Sequence, residues 1–66
     1  MEVLLNGEIQ QLPAQITIAQ LLQQLGLQDK RLAMELNGEI VARSYFQHQQ
    51  IHAGDKIEIV HAVGGG

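Results

Sequence analysis

The sequence LNGEI occupies residues 5–9 and recurs at residues 36–40. Asn-Gly favours a two-residue type I′ turn because both residues tolerate positive φ angles, and apolar residues flank each copy. Each copy therefore predicts a β-hairpin. The expected strand pairs are residues 1–5 with 8–12 and residues 32–36 with 39–42.

A single helix is predicted between the two hairpins. Thr17 is a suitable N-cap, and Gln20 completes a capping box three residues later. Gly26 is placed to end the helix, with the following leucine closing back on its last turn in a Schellman cap. The helical spacing predicts one buried face, made of Ile18, Leu21, Leu22 and Leu25.

The last third of the chain predicts a short turn over residues 44–46, a tight Ala-Gly-Asp turn over residues 53–55 and a final strand over residues 56–62. The alternation of that strand places Ile57 and Ile59 on one face and Glu58, Val60 and Ala62 on the other. The order hairpin, helix, hairpin, strand predicts an α+β fold, with one mixed sheet, the helix across one face and the final strand beside the first. This is the ubiquitin-like β-grasp.

Composition limits the classes of function. The chain has 66 residues, of which 45% are hydrophobic and 17% charged, and this predicts one folded domain with a small core. The net charge is −3 and the four basic residues are scattered along the sequence, which argues against nucleic-acid and membrane partners. No run reaches the ~20 apolar residues of a membrane span, and no secretory signal begins the chain, so we expect a cytoplasmic protein.

The end of the sequence is a run of three glycines, Gly64, Gly65 and Gly66. We expect a folded domain over residues 1–62 and a flexible tail over residues 63–66. Without Cβ atoms, glycines can enter a narrow cleft, and three of them span about 10 Å when extended. The tail is therefore suited to presenting a terminal carboxylate inside the active site of another protein.

The chain resembles the ThiS family of sulfur carriers for thiamin thiazole synthesis. The resemblance rests on Asn6-Gly7, the run ELNGEIV at residues 35–41 with Arg43, the Ala-Gly-Asp turn and the terminal glycines. Ala42 departs from the family, whose members often carry proline before this arginine. The resemblance implies a protein that is not an enzyme and binds no cofactor itself.

The resemblance also implies a set of partners. A ThiF-type activating enzyme would use ATP to adenylate the Gly66 carboxylate, sulfur from a donor system would replace AMP to give a thiocarboxylate, and a ThiG-type thiazole synthase would receive the sulfur. The chemistry of the chain agrees with this arrangement, in which partners activate the carboxylate and this chain carries it. An ionised carboxylate does not accept sulfur directly, and the chain has no phosphate-binding loop with which to activate it.

Two other functions remain open on the sequence. One is a MoaD-like small subunit of molybdopterin synthase, which shares the fold and the tail chemistry but tends to be longer. The other is a passive β-grasp interaction module with an inert tail.

A partner-binding surface is predicted where alternation leaves apolar residues in solvent. Leu4, Val60 and Ala62 fall on the sheet face opposite the helix and would form one patch beside the tail. His48 and His52 have helical metal-ligand spacing, but their segment lacks a helix cap and a third ligand, so we expect no metal site. His61 is interpreted as a strand residue, and Arg43 as a loop contact or a recognition residue.

Overall fold

The computed structural model describes residues 1–61 and contains a five-stranded sheet crossed by one helix. The sheet order is β2-β1-β5-β3-β4. β5 runs parallel to β1 and antiparallel to β3, so the last strand lies at the centre. This confirms the predicted β-grasp. The elements are β1 (Glu2–Leu5), β2 (Glu8–Gln11), α1 (Ile18–Gln24), β3 (Leu32–Leu36), β4 (Glu39–Val41), a 3₁₀ helix (Arg43–Tyr45) and β5 (Lys56–His61).

Both hairpins turn at the Asn-Gly pairs. Asn6 and Gly7 have φ angles of 50° and 83°, and Asn37 and Gly38 have 54° and 85°. These left-handed values are those that a type I′ turn requires. The strands pair in the expected register, with Leu5 opposite Glu8 and Leu36 opposite Glu39.

The helix begins and ends as predicted. The Thr17 side chain accepts from the Gln20 amide, and the Gln20 side chain accepts from the Thr17 amide. At the other end Gly26 has φ 74°, and the Leu27 amide donates to the Leu22 carbonyl at 2.8 Å. This 6→1 bond, together with one from Gly26 to the Gln23 carbonyl, is the Schellman motif.

Leu25 corrects the prediction for the buried face of the helix. Ile18, Leu21 and Leu22 are buried, but Leu25 is 42% exposed. The helix has only seven residues, and Leu25 is its C-cap. The chain reverses at Gly26, so Leu27 packs against the core instead.

The core lies between the helix and one face of the sheet. Ile57 and Met34 are fully buried, and Val3, Leu5 and Ile59 belong to the same core cluster. This confirms that Ile57 and Ile59 share the inner face of β5, and it agrees with the prediction that Leu4 points away from the helix. Phe46 and Ile51 come from the long connection before β5 and complete the same cluster.

The connection before β5 also supports the start of the helix. The first amides of a helix have no partner within the helix. Here the amide of Ile18 donates to the Gln49 carbonyl at 3.0 Å, and the amide of Ala19 donates to the Phe46 carbonyl at 2.9 Å. The connection is therefore joined to the helix by two backbone hydrogen bonds, and Arg43 lies near the start of the connection.

β5 extends beyond β1. The two strands pair only at Leu4 with Lys56 and at Leu5 with Ile57. Past this point the Ile59 amide donates to Oδ1 of Asn6 at 2.8 Å. The side chain of this turn residue therefore takes the place of a backbone acceptor in the ladder. No helix in the described part of the chain is long and apolar enough to cross a membrane.

Candidate functional site

The predicted tail continues from the end of β5. His61 is the last described residue; it pairs with Leu32 of β3 and is exposed to solvent. Ala62, Gly64, Gly65 and Gly66 lie outside the described residues. The site that can be described is therefore the surface from which the tail continues.

An open cleft of about 360 Å³ lies at this end of the sheet, and we call it the tail-side cleft. Val60 lies opposite Ala33 across the β5–β3 ladder, with Val60 56% exposed. Most of the exposed surface of the cleft is apolar, so its arginines contribute mainly their aliphatic stems. The cleft is lined by Arg31, Leu32, Ala33, Arg43, Val60 and His61.

Arg43 is held in place by contacts with two other segments. Its Nη2 donates to the Lys30 carbonyl at 3.0 Å, and its guanidinium carbon lies 5.9 Å from the centre of the Phe46 ring. The first contact joins the 3₁₀ helix to the segment before β3, and the second is within cation–π range. Arg43 therefore has a structural role, and it lines the same cleft as His61, the last described residue.

The basic residues are not scattered in the folded protein. Arg31 and Arg43 line the same cleft, and Arg43 contacts the backbone of Lys30. Two of the four basic residues, Arg31 and Arg43, thus meet where β5 ends, and Lys30 directly precedes Arg31 in the chain. Their separation along the sequence concealed this, because the turn before β3 and the 3₁₀ helix meet only in the tertiary structure.

The structure does not bring Leu4 and Val60 of the predicted patch together, and the third predicted member, Ala62, lies outside the described residues. Leu4 is opposite Lys56, four positions before Val60, which corresponds to about 13 Å along a strand. Glu58 lies between them on the same face, so Leu4 and Val60 do not form one continuous apolar surface. Val60 belongs to the tail-side cleft, whereas Leu4 lies beside Ile9 of β2.

Sequence reasoning missed two exposed isoleucines on the outer face of the sheet. Ile9 is 65% exposed and Ile40 is 77% exposed. Each ends a copy of LNGEI and lies opposite an outward residue, Leu4 for Ile9 and Glu35 for Ile40. Hairpin register counted from each Asn-Gly turn was the signal that could have identified them.

The histidines do not gather. His48 and His52 are exposed, and the described residues contain no group of three metal-ligating side chains. The Nδ1 atom of His52 lies 4.0 Å from Oδ2 of Asp55, and the same oxygen accepts from the His52 amide at 2.7 Å. This contact supports the turn before β5.

Fold and size define a small ubiquitin-like β-grasp domain. Comparison with known proteins identifies the family. The ThiS family model matches residues 3–66, so the chain belongs to the ThiS family.

Solved structures support the same assignment. A crystal structure of a thiamine biosynthesis protein (ThiS) from Geobacter metallireducens is 29% identical, with a TM-score of 0.88 and complete coverage of both chains. A solution NMR structure of a thiamine biosynthesis protein from the same organism has a TM-score of 0.80, covering this chain fully and 88% of that one.

Two curated relatives are longer proteins. The chain is 39% identical to a thiazole synthase of Paramagnetospirillum magneticum and 36% identical to one of Magnetococcus marinus, in each case over all 66 residues. It spans about a fifth of the length of each. These relatives therefore combine a part similar to this chain with a larger remainder.

Proposed function

We propose that this protein carries sulfur as a thiocarboxylate on Gly66 for assembly of the thiazole ring of thiamin. The observation that carries the proposal is the family match over residues 3–66, which extends through the three glycines. The β-grasp body holds the start of the tail, and the chemistry takes place on partners.

The proposed reaction has two steps. A ThiF-type enzyme joins the Gly66 carboxylate to the α-phosphorus of ATP, forming an acyl-adenylate and releasing pyrophosphate. A sulfur nucleophile from the donor system then attacks the carbonyl carbon, so that a C–S bond forms, the C–O bond to phosphate breaks and AMP leaves. Activation divides a difficult substitution into two easier ones.

The body of the domain supports a passive role in this chemistry. The buried side chains among residues 1–61 are all hydrophobic, so that part of the chain has no buried polar or charged group of the kind that catalysis uses. The tail-side cleft is open and apolar. Such a surface suits docking beside a partner that encloses the glycines.

A ThiG-type thiazole synthase is the proposed acceptor of the sulfur. The two curated relatives named thiazole synthase support this pairing, since each contains a part similar to this chain within a longer polypeptide. The use of ATP by the activating partner supports a cytoplasmic setting. ATP is bound by that partner and not by this chain.

The thiocarboxylate is tested by the intact mass of the protein isolated from its native cell. We expect an increase of about 16 Da, because one oxygen at the activated carbonyl is replaced by sulfur. The proposal requires a free carboxylate on Gly66. A native protein that supports thiazole synthesis with Gly66 amidated, or that never gains this mass, would contradict it.

The requirement for glycine in the tail is tested by the substitutions Gly65→Ala and Gly66→Ala. We expect each to slow charging by the ThiF-type enzyme by roughly tenfold or more, because a small misplacement of the reacting group is costly. Thermal unfolding should be almost unchanged, since neither residue belongs to a described strand or helix. Charging of both variants at the normal rate would refute the argument from close approach.

The two alternatives give different outcomes. Adding one bulky residue after Gly66 should abolish charging of a carrier, whereas a passive interaction module would keep its function. A MoaD-like protein would recover the large subunit of molybdopterin synthase in a pull-down, with no thiazole synthase. The family match favours the thiazole synthase.

A further inference from the structure

Charge is divided unevenly over the domain. Residues 29–31 and Arg43, which reach the tail-side cleft through Arg31 and Arg43, carry a net charge of +2. Six carboxylates and Lys56 give the remainder −5, which together make the −3 of the whole chain. The domain is thus acidic overall, with a basic end where the tail continues.

The charges at the basic end are not neutralised within the domain. Over residues 1–61, the one lysine or arginine side chain within 4.0 Å of a carboxylate is Lys56, which pairs with Glu58. The Arg43 guanidinium contacts a backbone carbonyl and an aromatic ring, and neither removes its charge. The positive potential is therefore available to a partner.

The basic end must lie close to any protein that encloses the tail. Residues 62–66 span about 16–18 Å when extended, so a partner that surrounds Gly66 brings its outer surface to the tail-side cleft. Interfaces commonly combine an apolar centre with a polar rim. Val60, Ala33 and Leu32 supply apolar surface, and Arg31, Arg43 and His61 border it.

We propose that the tail-side cleft docks a carboxylate-bearing apolar segment of the thiazole synthase, at the mouth of the site that receives the glycine tail. This inference rests on the proposed function, because it assumes that the synthase receives the tail. The outer face of the sheet around Glu35 and Glu58 would repel such an acidic segment, so charge favours contact of that segment with Arg31 and Arg43.

The test is the association rate between this protein and the thiazole synthase of its source organism, measured for the wild type, Arg31→Gln and Arg31→Glu. Arg31 is exposed, and a border charge acts mainly on the association rate. At low salt we expect a decrease of roughly threefold for Arg31→Gln and roughly tenfold for Arg31→Glu. Near 1 M salt, where the Debye length is about 3 Å, the differences should largely disappear.

Lys56→Gln and Lys56→Glu are the matched controls. Each makes the same change in net charge, but Lys56 is exposed at the start of β5, at the opposite end of that strand from His61. Both controls should associate within twofold of the wild type at low salt. Equal decreases in the association rate at positions 31 and 56 would overturn the proposal. Decreases that persist in high salt would also overturn it, as would decreases seen in association with the adenylating enzyme but not with the synthase.

The mass measurement separates this inference from the proposed function. If the wild type carries the thiocarboxylate but Arg31→Glu binds the synthase normally, the docking surface is wrong and the carrier function stands. If association depends on Arg31 as expected but no thiocarboxylate forms, the docking surface stands and the carrier chemistry is wrong.

Discussion

Asn6 and Asn37 show how single residues serve both a turn and a distant strand. Each adopts the positive φ of its type I′ turn. Each side-chain oxygen also accepts an amide of β5: Asn6 from Ile59 at 2.8 Å and Asn37 from Lys56 at 2.9 Å. The asparagines of the two LNGEI copies therefore hydrogen-bond the central strand β5, one from the β1 side and one from the β3 side.

Asn6→Gly should separate these two roles. Glycine keeps the left-handed turn, but the Ile59 amide loses its acceptor in a partly buried position. We expect a loss of about 1–2 kcal/mol in the free energy of unfolding, measured with urea.

Gln15→Gly is the matched control for this change. Gln15 also has a positive φ, 61°, and it is exposed to solvent. Glycine relieves the left-handed backbone there and adds chain entropy, so the net change should be near zero. Equal losses in the two variants would show that the amide bond to Ile59 contributes nothing.

At the scale of elements, the pairing of β3 with β5 decides which side chains meet on the outer face. Glu35 lies directly opposite Glu58. Like charges in this position are destabilising, and the nearest cation is Lys56, whose Nζ is 3.9 Å from Glu58. The pair therefore lowers the stability of the domain locally, and the spacing of these residues in the sequence does not reveal it.

Glu35→Lys should stabilise the domain. It replaces a repulsive cross-strand pair by an attractive one, and we expect a gain of roughly 0.5–1 kcal/mol at low salt that becomes smaller as salt is added. Glu8→Lys makes the same change in net charge at a position opposite Leu5. An equal gain in the control would assign the effect to net charge and not to the pair.

At the scale of the whole molecule, stability depends on β5, which joins the two hairpins. Ile57, the second residue of β5, is fully buried, whereas Ile40 on the edge strand β4 is 77% exposed. A domain of this size has a free energy of unfolding of only about 3–10 kcal/mol. The loss of one central side chain is then a large fraction of the total.

Ile57→Ala should lower the free energy of unfolding by about 2–5 kcal/mol, since it removes buried methyl groups and leaves a cavity. Ile40→Ala should change it by less than about 0.5 kcal/mol, as an exposed residue. Denaturant unfolding of both variants compares them directly. Similar losses would mean that the outer face of β4 is covered in solution.

Local patterns in the sequence determined the hairpins, the helix with both of its caps, and the inner faces of β1 and β5. These features depend on backbone preferences and on alternation between neighbouring residues. Both can be read directly along the sequence. The same patterns placed the glycine tail directly after the last strand.

Only the tertiary structure decided what surrounds the start of the tail. It brought Arg31, Arg43 and His61 to one cleft, separated Leu4 from Val60, and exposed Leu25 at the helix end. These outcomes depend on the register and length of strands that are distant in sequence. Spacing along the chain specifies which way a side chain faces, but contacts between segments determine which side chains become neighbours.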